Sequence, residues 1–169
     1  LEFIAEARGG DAPGHVPALL DELGLTAIAK RPCRELSFGM RQRVGTARAL
    51  AVNPAVLLMD EPFSALDAQT RTLMMEELLA LWERTRKTIL YVTHNIQEAV
   101  FMADRVVVLS RRPGRVLDTV VIDLPRPRTE AMLGEPAFVR AADRIWKLIR
   151  TQAEAALLES WQHPAVPHR

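Results

Sequence analysis

Ala55-Val56-Leu57-Leu58-Met59 is an unbroken apolar run of strand length, and it leads directly into Asp60-Glu61-Pro62. A run without alternation predicts a strand covered on both faces, the pattern of a parallel sheet flanked by helices. Two adjacent carboxylates at the carboxyl end of such a strand occupy the rim where open α/β sheets place their ligand sites. Phosphoryl transfer gives buried charges there a reason. One carboxylate can hold Mg²⁺, usually through water, while the second orients or deprotonates the attacking water. The plainer alternative is that the pair caps the loop before Pro62.

The surrounding chain supports an alternating α/β order. Asp11 and Pro13 can open a short helix with Val16, Leu19, Leu20 and Leu23 on one face, and Gly24 suits its end. Ser37 precedes a longer helical run through Val44, Ala47, Ala51 and Val52 that stops at Asn53-Pro54, because proline restricts the residue before it. After the apolar strand, Asp67 caps a helix with Met74, Leu78, Leu81 and Trp82 at helical spacing, and Thr88 to Val92 is β-branched and apolar again. Asn95 can cap a shorter helix through Ile96, Ala99, Val100 and Met102, followed by a strand over Arg105 to Leu109. Arg112-Pro113-Gly114 is turn chemistry, so Val116 to Ile122 should pair antiparallel at an edge. From Pro136 an amphipathic helix directs Phe138, Ala142, Ile145, Leu148 and Ile149 inward and fades before the Pro- and His-rich tail at 163–169.

Composition narrows the classes of function. With 22 Lys plus Arg against 21 Asp plus Glu, the net charge of +1 supplies no field that would gather nucleic acid. Cys33 is the single cysteine, which rules out an internal disulfide and a paired-thiolate zinc site, and it reads as a small, partly buried apolar residue. No apolar run approaches the roughly 20 residues that span a bilayer. The opening Leu1-Glu2-Phe3-Ile4-Ala5-Glu6 signals no secretion leader, and the absence of an initiator Met suggests an incomplete chain.

Two further features bear on phosphate. Ser37-Phe38-Gly39 opens a helix whose unpaired N–H groups and positive dipole end suit an anion, and Gly39 lets a phosphate approach the backbone, although a serine cap beside a glycine also begins many helices for structural reasons alone. His94 follows Thr93 at the end of a strand, where a neutral imidazole could hydrogen-bond a terminal phosphate or make an ordinary polar contact. His15, His163 and His168 have no such positional support.

Taken in order, Leu36-Ser37-Phe38-Gly39-Met40-Arg41-Gln42-Arg43, Leu57-Leu58-Met59-Asp60-Glu61-Pro62, Ser64-Ala65-Leu66-Asp67 and Thr93-His94 resemble the ABC ATPase family, with the resemblance running from about Leu20 to Arg128. It implies a partial P-loop NTPase fold: a mostly parallel sheet flanked by helices with an antiparallel edge hairpin, preceded by part of a helical subdomain. The implied organisation is a partial helical signature subdomain over 1–53, a partial ATPase core over 54–128, and a C-terminal helix and tail over 129–169.

The resemblance also implies roles. Ser37 and Gly39 belong to the signature that contacts the γ-phosphate of ATP held by the opposite subunit of a head-to-tail dimer. Asp60 is similar to the Walker B carboxylate for Mg²⁺, Glu61 to the catalytic carboxylate, Asp67 to the D-loop residue that crosses the dimer, and His94 to the switch histidine. Implied partners are a membrane permease, a second ATPase subunit and, indirectly, an external substrate-binding protein, with the chain peripheral on the cytoplasmic face of the inner or plasma membrane. Met40-Arg41-Gln42-Arg43, Phe63-Ser64-Ala65-Leu66-Asp67, Gln97-Glu98-Ala99 and Leu124-Pro125-Arg126-Pro127-Arg128 look like importers for nitrate, sulfonates, taurine or related anions.

The chain departs from the family in two ways. Phe38 and Met40 replace the first glycine and the glutamine of the common Leu-Ser-Gly-Gly-Gln signature. No Gly-x-x-x-x-Gly-Lys-Ser/Thr occurs, so no loop within the sequence cradles the phosphates, and no upstream glutamine loop is present. In the family, the strand leading into that loop separates the strands corresponding to Thr88–Val92 and Arg105–Ser110. Their facing edges are therefore expected to lack partners, and the chain alone is expected to fold poorly, self-associate or rearrange. Two other readings stay open at this stage: a non-catalytic module lending Ser37 and Gly39 to a complete partner, and an ABC-type ATPase of DNA repair or translation.

Overall fold

The computed structural model describes residues 15–162, with the backbone alone at 15, 153 and 155–162. The chain divides between Val92 and Thr93 into two units. In the first, α1 (His15–Glu22) is followed by two short 3₁₀ turns (Thr26–Ile28 and Cys33–Glu35), then α2 (Phe38–Leu50), β1 (Val56–Asp60), α3 (Ala68–Thr85) and β2 (Thr88–Val92). Asp11 and Pro13, predicted to open the first helix, lie outside the described residues.

The helices of this unit end at left-handed residues, the second at Leu50, two residues short of the predicted run through Val52. Gly24 takes φ +63, a left-handed conformation that glycine adopts without penalty, and Leu25 N–H closes back on Leu20 O at 2.7 Å. Beyond α2, Asn53 turns left-handed (φ 47) ahead of Pro54, and its N–H still reaches Leu50 O at 2.8 Å. Arg86 (φ 51) ends α3, donating its N–H to Trp82 O at 2.7 Å, while its guanidinium lies 4.7 Å from the centre of the Trp82 ring.

β1 and β2 pair in parallel from Val56↔Thr88 to Asp60↔Val92, with α3 as the crossover, which makes a βαβ unit. Leu57 is buried, and Met59, Ile89 and Tyr91 are half-buried on the same face. The opposite face is bare, with Leu58 72% and Leu90 59% exposed beside exposed Val56 and Val92. The expectation of a strand covered on both faces is therefore not met. Successive side chains alternate across a strand, and the described helices of this unit cover one side only. Cys33 is exposed rather than partly buried.

The second unit holds α4 (Ile96–Met102), β3 (Arg105–Leu109), β4 (Val116–Val121), a 3₁₀ turn (Glu130–Gly134) and α5 (Pro136–Gln162). β3 and β4 form the antiparallel hairpin that Arg112-Pro113-Gly114 predicts, closed by Ser110 N–H to Arg115 O at 2.8 Å and Arg115 N–H to Ser110 Oγ at 2.9 Å. Val108, Val120, Ile122, Phe138, Ile145, Val100 and Phe101 are among its buried residues, whereas Ile149, expected to face inward, is exposed midway along α5. Strands 88–92 and 105–109 belong to separate two-stranded sheets.

The one-sided cover of β1 has a measurable consequence. Leu57→Ala is expected to cost about 2–4 kcal/mol in urea unfolding, against less than about 0.5 kcal/mol for Leu58→Ala. Equal losses at the two positions would contradict the burial pattern.

Candidate functional site

Asp60 closes β1 opposite Val92 and is exposed, while Glu61 is half-buried, so the adjacent pair is less enclosed than the apolar run suggested. Glu61 leaves the strand in the left-handed region at φ 48, and its N–H donates to Val92 O at 2.9 Å. The ladder thus continues one bond past the strand while the chain reverses. A non-glycine residue in this conformation carries strain on the order of 1 kcal/mol or more, and such residues cluster at ligand sites.

The turn that follows is tied to the same residue. Ser64 donates its N–H (3.2 Å) and its hydroxyl (3.0 Å) to Glu61 O, Leu66 N–H reaches Phe63 O at 3.1 Å, and Arg71 Nη2 donates to Leu66 O at 2.8 Å. Asp67 then caps α3, accepting from Thr70 N–H at 2.9 Å and from Thr70 Oγ1 at 2.7 Å. Those two hydrogen bonds, the backbone one foremost, hold the Asp67 carboxyl below its usual value of 3.8. Asp60, Glu61 and Asp67 therefore share one braced segment between a strand and a helix.

Ser37 and Gly39 lie elsewhere in this unit, at the start of α2. Ser37 Oγ accepts from Met40 N–H at 3.2 Å, as the predicted cap requires. The first turn contains no acidic residue, which leaves its N-terminal dipole uncancelled, and Arg41 adds positive charge beside Phe38, its guanidinium 5.9 Å from the ring. Gly39 has no left-handed φ, and a Cβ built there meets nothing within 4 Å. Neither the backbone conformation nor the packing of the described residues demands glycine at this position.

His94 is the second residue of the second unit, exposed and next to Thr93. The turn around it contains residues that motif reading passed over. Thr93 Oγ1 donates to the buried Glu98 carboxylate at 2.8 Å and accepts from Asn95 N–H at 3.0 Å. Asn95 with Glu98 three residues on is a capping-box pattern and was a legible signal, although the carboxylate here reaches the cap N–H through an inserted hydroxyl.

No group of three or more His, Cys, Asp or Glu that could hold a metal occurs among the described residues. An exposed carboxylate such as Asp60 nevertheless fits Mg²⁺, which keeps several waters and takes one or two carboxylates alongside substrate phosphates. The Asp67 bonds can be tested directly. The depressed carboxyl stabilises the cap above its unfolded pKa and loses that contribution as pH falls through the folded value. An acid titration of the Thr70 amide resonance should therefore show a midpoint below 3.8, and one at or above 3.8 would remove the cap from the account.

The family profile of the ABC transporter matches residues 5–64. The nitrate import ATP-binding protein of Synechocystis is 47% identical over 137 residues, covering 78% of this chain and 52% of that protein. The taurine import ATP-binding protein of Escherichia coli is 44% identical over 142 residues, covering 81% of this chain and 56% of that protein. Among solved structures, cbiO1 from Clostridium perfringens, part of the ABC transporter complex cbiONQ, superposes with a TM-score of 0.62 at 25% identity, covering 81% of this chain and 53% of that one. The chain spans about half the length of the curated relatives it matches. A βαβ unit whose first strand leads into Asp60-Glu61, an antiparallel hairpin and these likenesses lead to one conclusion: the chain belongs to the ABC transporter ATP-binding family.

Proposed function

We propose that the chain is the signature-to-C-terminus part of a subunit that binds and hydrolyses ATP for an ABC importer, coupling hydrolysis to uptake of a small anion such as nitrate, a sulfonate or taurine. The observation that carries the reading is Glu61, held left-handed just past β1 by the Val92 carbonyl, beside the exposed carboxylate of Asp60. The nitrate and taurine import relatives support the importer class.

In this reading Asp60 takes Mg²⁺, which when bound neutralises phosphate charge, and Glu61 orients or deprotonates the attacking water. Ser37 and Gly39 offer a hydroxyl, open backbone and a positive helix end to the γ-phosphate of ATP on the opposing subunit. Asp67 lies at the dimer crossing, and His94 donates to the terminal phosphate. The partners are a second ATP-binding subunit in head-to-tail arrangement, a membrane permease and, through it, a substrate-binding protein outside the membrane. This places the chain on the cytoplasmic face of the inner or plasma membrane. Among the described residues no helix is long and apolar enough to cross a membrane, which suits a peripheral role.

One sequence observation favours a second reading. With no Gly-x-x-x-x-Gly-Lys-Ser/Thr in these 169 residues, another segment or subunit must cradle the phosphates, so the chain could instead be a non-catalytic module supplying Ser37 and Gly39. ATP hydrolysis measured for the chain alone and mixed with a complete ATP-binding subunit separates the two. The chain alone is expected to show no turnover above background. In the mixture, the catalytic reading expects Glu61→Gln to lower turnover by about a hundredfold or more. The module reading expects Glu61→Gln to be silent and Gly39→Val to abolish the stimulation. A mixture indifferent to both substitutions contradicts both readings.

A further inference from the structure

Glu98 is 3% exposed, yet none of the roles above uses it. A carboxylate taken out of water needs hydrogen-bond donors, and Glu98 finds one in the Thr93 hydroxyl at 2.8 Å. That hydroxyl in turn accepts from Asn95 N–H at 3.0 Å, so a single side chain bridges the two residues on either side of His94. Asn95 Oδ1 meanwhile accepts from the N–H groups of Gln97 (2.9 Å) and Glu98 (3.2 Å). The backbone entering and leaving His94 is therefore fastened to the first turn of α4.

The other end of α4 is fastened as well. The buried Arg128 donates through Nη1 to the carbonyls of Val100 (3.3 Å), Phe101 (2.9 Å) and Ala103 (2.8 Å), and Arg126 Nη2 donates to Met102 O at 3.3 Å while pairing with Asp104 at 2.7 Å. Burial, together with the Arg126 charge, lowers Arg128 to about 10, which leaves it a cation at neutral pH. With its C-terminal carbonyls saturated in this way, α4 is a fixed support. The Thr93 hydroxyl joins that support to the backbone on either side of His94.

We infer that Glu98, acting through Thr93, is a positioning residue that sets where the His94 imidazole projects, and so governs the contact of His94 with the terminal phosphate. The inference rests on the reading of His94 as a phosphate-contacting residue. A general polar patch would tolerate loss of the hydroxyl, whereas a positioning relay would not, because displacement of a catalytic contact by about an ångström costs on the order of a hundredfold.

Two measurements on the full chain and its ATP-hydrolysing mixture test this. In NMR spectra of the labelled chain, Thr93 should show a slowly exchanging hydroxyl proton. The His94 imidazole signal, assigned with His94→Gln, should keep its position in Thr93→Ser and Glu98→Gln and move to the free-histidine position in the isosteric Thr93→Val and in Glu98→Ala, with Val108 and Val120 methyl signals unchanged. In the mixture, Thr93→Val should lower kcat by roughly tenfold to a hundredfold with KM for Mg·ATP within about twofold, and Thr93→Ser should restore it. An unprotected Thr93 hydroxyl, or a His94 signal indifferent to Thr93→Val, overturns the inference. Turnover lost in His94→Gln but unaltered in Thr93→Val also overturns it, whereas turnover unaltered in His94→Gln itself overturns the underlying reading of His94.

Discussion

A single backbone hydrogen bond organises the candidate site: Glu61 N–H to the carbonyl of Val92, one step beyond the last paired residue of β1. Because β1 and β2 run parallel, their carboxyl ends come to the same edge, and this bond holds the first turn residue there while the chain bends into a left-handed conformation. Ser64 then fastens to Glu61 O with both backbone and hydroxyl, and Asp67, six residues after Glu61, caps α3. The carboxylate pair is thus presented by a braced turn rather than by a loose loop. This is the kind of support on which proposed catalytic positioning depends.

Much of this was legible in the sequence. Ser37, Asp67 and Asn95 could be read as helix caps because short polar side chains that satisfy backbone N–H groups seldom precede helical runs by accident, and each one caps its helix in the structure. The run Thr88–Val92 matches β2 residue for residue, and Arg112-Pro113-Gly114 marked the antiparallel return. Coverage was the illegible part. An apolar run states what a strand can bury, and Leu58 and Leu90 show that nothing in the described chain buries them. Burial depends on residues distant in sequence, which no local pattern contains. The left-handed backbone of Glu61 was hidden for a related reason, since it is imposed by a carbonyl on another strand and not by its own side chain.

The bare face and the missing glycine-rich loop belong together physically. The described sheet of the first unit leaves apolar side chains uncovered on one face, and without a glycine-rich loop in the sequence the proposed carboxylate pair has no anchored anion to act on. The relatives are about twice as long as the matched region. Gly39 fits the same account from the other side: its empty surroundings suit an approach by something that these residues do not include.

The central claim is that the start of α2 on one subunit and the Asp60-Glu61 turn on its neighbour close on one triphosphate. The most direct measurement is a structure of the chain paired with a complete ATP-binding subunit in Mg·ATP, with Glu61→Gln to slow turnover. The account predicts the Ser37 hydroxyl and the Gly39 N–H at about 3 Å from the γ-phosphate of the nucleotide anchored on the partner. A nucleotide whose γ-phosphate touches neither residue, in a pair that has nonetheless closed, would contradict it.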